Sequence, residues 1–364
     1  MDPTASSAFS QSYAEARTKF LAACEALGLD VESHIHPMLG RDGELLAMDV
    51  VRHGPRDAQR LLILSSACHG VEGFAGSGIQ IALLRDARWR QAVQASGVAV
   101  LYIHALNPYG FSWWRRVTQE NVDLNRNFHD FSRPLPRNDA YDEIHAWLLP
   151  RQWPPGPEVE AAIQAYIERH GPMAFQAAVS QGQYTHEDGL YYGGRNPTWS
   201  NVTLRHVLRE HGRQAADIAW IDLHTGLGPC GHGERIFASR NDATELERAR
   251  RWWGPEVTSI YDGSSSSAEL TGMMWLSIFD ECPQARYTGI ALEYGTMPVL
   301  EVLHALRAEH WVENHPEVDD VRRAAFKRQL RDAFYVDTDD WKRRLVEQAF
   351  DAGLQALSGL RAGA

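Results

Sequence analysis

His69 and Glu72 stand three positions apart, directly behind the apolar run at 61–64, in the stretch HGVEGFAGSG. Such a run reads as a buried strand, and the Gly-rich residues after it as a loop opening a helix. The strand end then delivers an imidazole and a carboxylate to the rim of a sheet, where open α/β folds bind ligands. Both groups are ligands that zinc accepts. The spacing alone is not specific, because His310 and Glu313 repeat it in a stretch that reads as an ordinary helix. The company the first pair keeps further along the chain is what sets it apart.

Behind the apolar residues 98–104 come Asn107-Pro-Tyr-Gly110, then Arg115 and Arg116, then Asn121-Val-Asp-Leu-Asn-Arg-Asn-Phe128. Guanidinium forks bind carboxylates in a bidentate way, so this group reads as an anion clamp on an otherwise acidic chain. A third apolar run ends in His224. Strand alternation puts Asp222 on the same face, placed to orient that imidazole or a neighbour. A fourth, 289–293, ends in Glu293 just before a glycine turn, where a carboxylate is paired, solvated or held for proton transfer. His69, Glu72 and His224 make three ligands and leave a fourth position for water, the arrangement of a catalytic zinc site. Glu293 would take the proton of that water and hand it to a leaving amine, and an arginine beside the metal would stabilise the oxyanion.

The elements that must position these residues are strands at 45–51, 61–66, 98–104, 218–223, 235–238 and 289–293. Helical patterns fall at 8–27, 76–90, 158–179, 198–213 and 241–253. The end of the chain, about 298–357, reads as a pair of helices split near Asn314-His-Pro316. Strands alternating with helices predict a three-layer α/β/α sandwich around a mixed, largely parallel sheet. Residues 132–200, rich in Pro, Trp, Tyr and Gly, read as an insertion in a single domain spanning 1–364. The part at 181–194, with three tyrosines and His186, reads either as local packing of the insertion against itself or as a cover over the cleft that confines it to small substrates.

A formal charge of −11 leaves no basic footprint for nucleic acid. No apolar stretch approaches the roughly 20 residues of a membrane helix. The start lacks the pattern of a secretory signal, and the four cysteines form no close pair. A reducing, cytoplasmic setting is therefore expected. Cys68 is expected to be a core side chain rather than a nucleophile. The sequence leaves the oligomeric state open.

Taken in order, these motifs resemble the zinc carboxypeptidase superfamily, which includes the aspartoacylase and succinylglutamate desuccinylase branch. The order is HxxE (His69, Glu72), an arginine, NR within VDLNRNF (Asn125, Arg126), a histidine after DxH (His224), and a late strand-end glutamate (Glu293). The resemblance implies one Zn²⁺ held by His69, Glu72 and His224. It implies that Glu293 is the catalytic base, that Asn125 and Arg126 bind a terminal carboxylate, and that Asp123 hydrogen-bonds a zinc histidine. Trp114-Arg115-Arg116 is similar to the family's Trp-Arg-Lys. Either Arg115 or Arg116 is thus expected to polarise the scissile carbonyl, Arg115 ahead of Arg116, with the other beside it as a substrate contact. Tyr261 lies in a context similar to that of the family's mobile tyrosine. The absence of a visible signal is similar to a bacterial intracellular branch. The expected substrate is a short peptide or small molecule with a free carboxylate, cleaved in the manner of a carboxypeptidase. Because DLHT is similar to the acylase branch, an N-acyl amino acid deacylase or desuccinylase is the alternative. An inactive carboxylate-binding protein is the reading from another class, and Glu293 counts against it.

Overall fold

Leu61 and Ile63 face one side of a sheet, Leu62 and Leu64 the other, and all four are buried. A strand apolar on both faces belongs in the middle of a covered, parallel sheet. The computed structural model, which describes residues 5–363, has that arrangement. Among the described residues one sheet forms from β1 (Val31–Leu39), β2 (Leu45–His53), β3 (Arg60–Ser66), β4 (Ala99–His104), β5 (Asp217–Cys230), β6 (Gly233–Phe237) and β7 (Arg286–Gly295). Their spatial order is β1-β2-β4-β3-β5-β7-β6. The central β4, β3, β5 and β7 are parallel, and β1, β2 and β6 join antiparallel at the two edges.

Helices close both faces. Gly73–Arg85, Ala87–Ser96 and Asp339–Ala362 pack Leu83, Trp89 and Leu345 into the cluster that holds Leu62 and Leu64. Trp199–Gly212 and Ser277–Glu281 pack Leu204, Leu208 and Ile278 against Leu61 and Ile63. The result is the expected α/β/α sandwich. No helix among the described residues is long and apolar enough to cross a membrane.

Several elements differ from expectation, each for a local reason. The pattern at 76–90 is two helices, because the Asp86 carboxylate accepts from Arg88 N and Trp89 N and caps a second one. The pattern at 158–179 breaks into Pro157–His170 and Pro172–Ser180 at Gly171, whose φ of 89° no helix tolerates, with proline opening the next helix. The end of the chain is three helices rather than a pair: Val299–Glu313, Asp320–Phe334 and Asp339–Ala362, the last capped by Thr338. Strand β1 was not expected. It carries Pro37 and exposes Ile35, Met38 and Leu39, which an edge strand allows.

The carboxyl ends of β3 and β4 are bent sharply. Ala67 and Ala105 take φ of 57° and 63°, a conformation that costs a non-glycine residue about 1 kcal/mol or more. The two ends fix each other: Leu106 N donates to Ser66 O at 3.0 Å and Asn107 N to Ala67 O at 2.9 Å. Gly70 then lies so close to Gly110 that a Cβ would overlap its backbone.

Candidate metal and active site

The parallel strand ends bring the candidate ligands together. His69 follows β3, Glu72 follows it in a single 3-10 turn, and His224 lies in β5. Glu72 bridges the two imidazoles: its Oε1 is 2.8 Å from His69 Nδ1 and its Oε2 is 3.0 Å from His224 Nδ1. The three ligand atoms lie within 4.8 Å of one another, and all three residues are buried.

Each imidazole is held from behind by a buried aspartate. His224 Nε2 is 2.6 Å from Asp222 Oδ2, and Asp222 Oδ1 in turn accepts from the Ser65 hydroxyl. His69 Nε2 is 3.3 Å from Asp123 Oδ1. This is the outer support that metal-binding histidines generally have. Burial opposes charge on His224, but Asp222 and Glu72 outweigh it and raise its pKa well above the usual value. Burial likewise opposes ionisation of Glu72, yet His69 and His224 hold its carboxyl well below the usual range. Two imidazole nitrogens and a carboxylate, gathered within 4.8 Å with both imidazoles tied from behind, fit a zinc ion.

Glu293 is the register partner of His224 on β7. Its Oε1 accepts from Leu227 N at 3.0 Å. Burial, with Glu72 nearby, pushes its carboxyl up to about 8. Glu293 shares a cavity of about 420 Å³ with the three ligand residues.

The two neighbouring arginines part company. Arg116 lines the cavity and is clamped by Asp123 Oδ2 at 2.9 Å and Glu72 Oε1 at 3.3 Å. Its Nη2 also lies 2.8 Å from His69 Nε2. That nitrogen serves either Arg116 as acceptor or Asp123 as donor, and a ligand on Nδ1 selects Asp123. Arg115 lies away from the cavity lining, bound to Glu309 Oε1 at 2.9 Å and Asn121 Oδ1 at 3.1 Å. The arginine expected to face a scissile carbonyl thus sits in a buried ion pair with Glu309 and does not line the cavity. Tyr261 does not reach the cavity either, because its hydroxyl donates to Ser239 O at 2.9 Å.

Asn125 and Arg126 do line the cavity. Asn125 Oδ1 is taken by the Met274 amide at 2.9 Å, which leaves its NH₂ for an incoming acceptor. Arg126 donates to Ser180 O at the end of helix Pro172–Ser180, where a cation suits the helix dipole. From the segment 181–194, Tyr191 lines the cavity, with φ of 52° and its ring 5.0 Å from the Arg116 guanidinium and 5.5 Å from that of Arg126. Sequence reasoning counted Tyr191 among several tyrosines and had no signal to single it out. His186 pairs with Asp142 instead.

The second His-x-x-Glu pair is structural. His310 Nε2 meets Asn121 Nδ2, and Glu313 pairs with Arg323 and Lys327. Burial pushes the Cys68 thiol well up, in keeping with a core side chain.

Residues 9–348 match the family model described as a protein of unknown function, DUF2817. The chain belongs to the DUF2817 family. The fold of this DUF2817 chain is similar to that of carboxypeptidase A from Helicoverpa armigera, at 11% identity and TM-score 0.51, over 97% of this chain and 74% of that one. Thrombin activatable fibrinolysis inhibitor is similar at 13% identity and TM-score 0.52, over 97% and 78%. At these identities the likeness is one of fold, and the DUF2817 chain has a zinc carboxypeptidase-like fold. No curated protein matches the sequence.

Proposed function

We propose that this DUF2817 protein is a zinc-dependent hydrolase of carboxypeptidase type, cleaving an amide bond next to a free carboxylate in short peptides or acylated amino acids. The observation that carries the reading is the paired arrangement in which His69 and His224 both turn Nδ1 toward Glu72 while buried aspartates stand behind both Nε2 atoms. One zinc ion would be held by His69, Glu72 and His224. When bound, it supplies Lewis acidity toward a water and a carbonyl oxygen, and a charge that favours ionised Glu293.

The rest is work for the chain. The Leu227 amide fixes Glu293 Oε1, so Oε2 takes the proton from water and returns it to the leaving nitrogen. Arg116 faces the cleft with its guanidinium and stabilises charge developing on the carbonyl oxygen. Arg126 and the Asn125 amide hold the substrate carboxylate. Tyr191 covers the two guanidiniums and narrows the entrance. Phe175, Val179, Leu303 and Leu306 line the rest of the cavity, an apolar wall that suits an acyl chain as well as a side chain. That wall keeps the N-acyl amino acid deacylase as the alternative. Free cysteines at all four positions fit a cytoplasmic setting.

The test is Glu293→Gln. It should retain zinc while turnover falls by about 10²–10⁴-fold, the usual worth of general acid–base catalysis. Unchanged turnover with full metal content would remove Glu293 from the reaction.

A further inference from the structure

At the loop just before the cavity-lining Tyr191, a second group of metal-binding side chains converges. His145 lies on helix Asp139–Leu148, while His186 and Asp188 lie on the loop that leads to Tyr191. One atom of each lies within 4.8 Å of the others. The two imidazole rings are stacked, with centroids 3.8 Å apart and planes 19° from parallel. His145 Nε2 is 3.8 Å from Asp188 Oδ1, and His145 Nδ1 is buried with no hydrogen-bond partner.

We propose that His145, His186 and Asp188 form a second site for a zinc-class divalent ion, which pins the loop 183–192 to helix Asp139–Leu148 and so holds Tyr191 over the cleft. Two imidazoles and a carboxylate are the donor set that suits zinc, nickel or copper rather than calcium or magnesium. Ligands of a tetrahedral zinc ion sit about 3.4 Å apart, as bonds of about 2.1 Å require, so an ion would turn the two rings out of their stack until a nitrogen of each faces it.

The surroundings are built to hold it. Asp142, one helical turn before His145, meets His186 Nε2 at 3.0 Å and the Thr185 hydroxyl at 2.8 Å. The Gln183 side chain bonds the backbone of Thr185 and His186, and Asn314 Nδ2 donates to Asp188 O. Gln183 N donates to Tyr191 O at 3.1 Å and Gly193 N to Gln183 O at 2.9 Å, which closes the loop on itself. An ion here ties the loop to the helix at a point that fixes where Tyr191 begins.

The experiment uses the full untagged chain, stripped with a chelator, reloaded with zinc alone and desalted. Zinc per chain is then measured for the wild type, His186→Asn, His224→Ala and the double variant. The expected values are two, one, one and none. Zinc added to His224→Ala should also slow amide hydrogen exchange in 183–192. Because His224 and His186 belong to different sites, failure of the cleft reading and failure of this one give different results. If His224→Ala does not fold, a fall from two to one in His186→Asn alone supports the site. A wild-type value of one that His186→Asn leaves unchanged overturns it, as does a folded His224→Ala chain that binds no zinc.

Discussion

Arg115 and Arg116 are adjacent, yet one lines the cleft and the other belongs to the packing behind it. The separation begins at Trp114, whose φ of 54° turns the chain, and is completed by Glu309. Their substitutions should therefore differ in kind. Arg116→Ala should lower the turnover of the folded chain by about 10²–10³-fold, as loss of one oxyanion donor does, on top of the stability it loses with its partner Asp123. Arg115→Ala should instead destabilise by about 3 kcal/mol, because it leaves a buried carboxylate short of its partner. Steady-state kinetics together with urea denaturation distinguish the two patterns, and the reverse pattern would return the catalytic part to Arg115. His69, Glu72, His224 and Glu293 were legible as a group because each ends an apolar run or follows one closely, and Asn125 and Arg126 because VDLNRNF resembles a family motif. The choice between the two arginines was not legible. It depends on one backbone angle and on a glutamate 194 residues away.

Among the elements, helix Val299–Glu313 carries the partner that decides that choice. Burial opposes ionisation of Glu309, but Arg115 and Lys327 outweigh it and bring its carboxyl down to about 2. A carboxylate with a depressed pKa stabilises the folded state above its unfolded pKa of about 4.3. That contribution is lost as pH falls toward 2, and it amounts to roughly 3 kcal/mol. Stability of the wild type relative to Glu309→Gln, followed by urea unfolding, should therefore shrink between about pH 5 and pH 2. A difference independent of pH would mean that Glu309 is not charged in the fold. The strand ends make a second prediction: Gly70→Ala forces a Cβ into Gly110, so both the stability and the metal affinity of the cleft should fall. Zinc titration alongside thermal unfolding would show it, and a variant unchanged in both would contradict the close approach. The central strands were readable as apolar runs. Strand β1 was hidden by its proline and its exposure, and helix Asp139–Leu148 by the unusual composition around it.

At the scale of the whole molecule, an acidic chain of net charge −11 gathers Arg116 and Arg126 at the base of one cleft. Asp123 and Glu72 pair with these guanidiniums, so they would serve an anionic group as hydrogen-bond donors more than as free charge. The cleft rim is apolar on the other side, with Met173 and Leu300 exposed at 55% and 63%. On the proposed function, the substrate would place its carboxylate at the arginine end and an apolar group at the other. The α/β/α architecture was legible from alternation alone, whereas the path of 132–200 was not, since its contacts with the site run through Ser180 and Tyr191 rather than through any periodic pattern. The central claim is zinc-dependent cleavage next to a free carboxylate. Its most direct test is release of the terminal residue from a set of N-acyl amino acids and blocked dipeptides, each offered as the free acid and as the amide. The free acids should be cleaved and the amides spared, with activity lost on chelation and restored by zinc. Equal cleavage of acids and amides, or full activity in the metal-stripped chain, would contradict it.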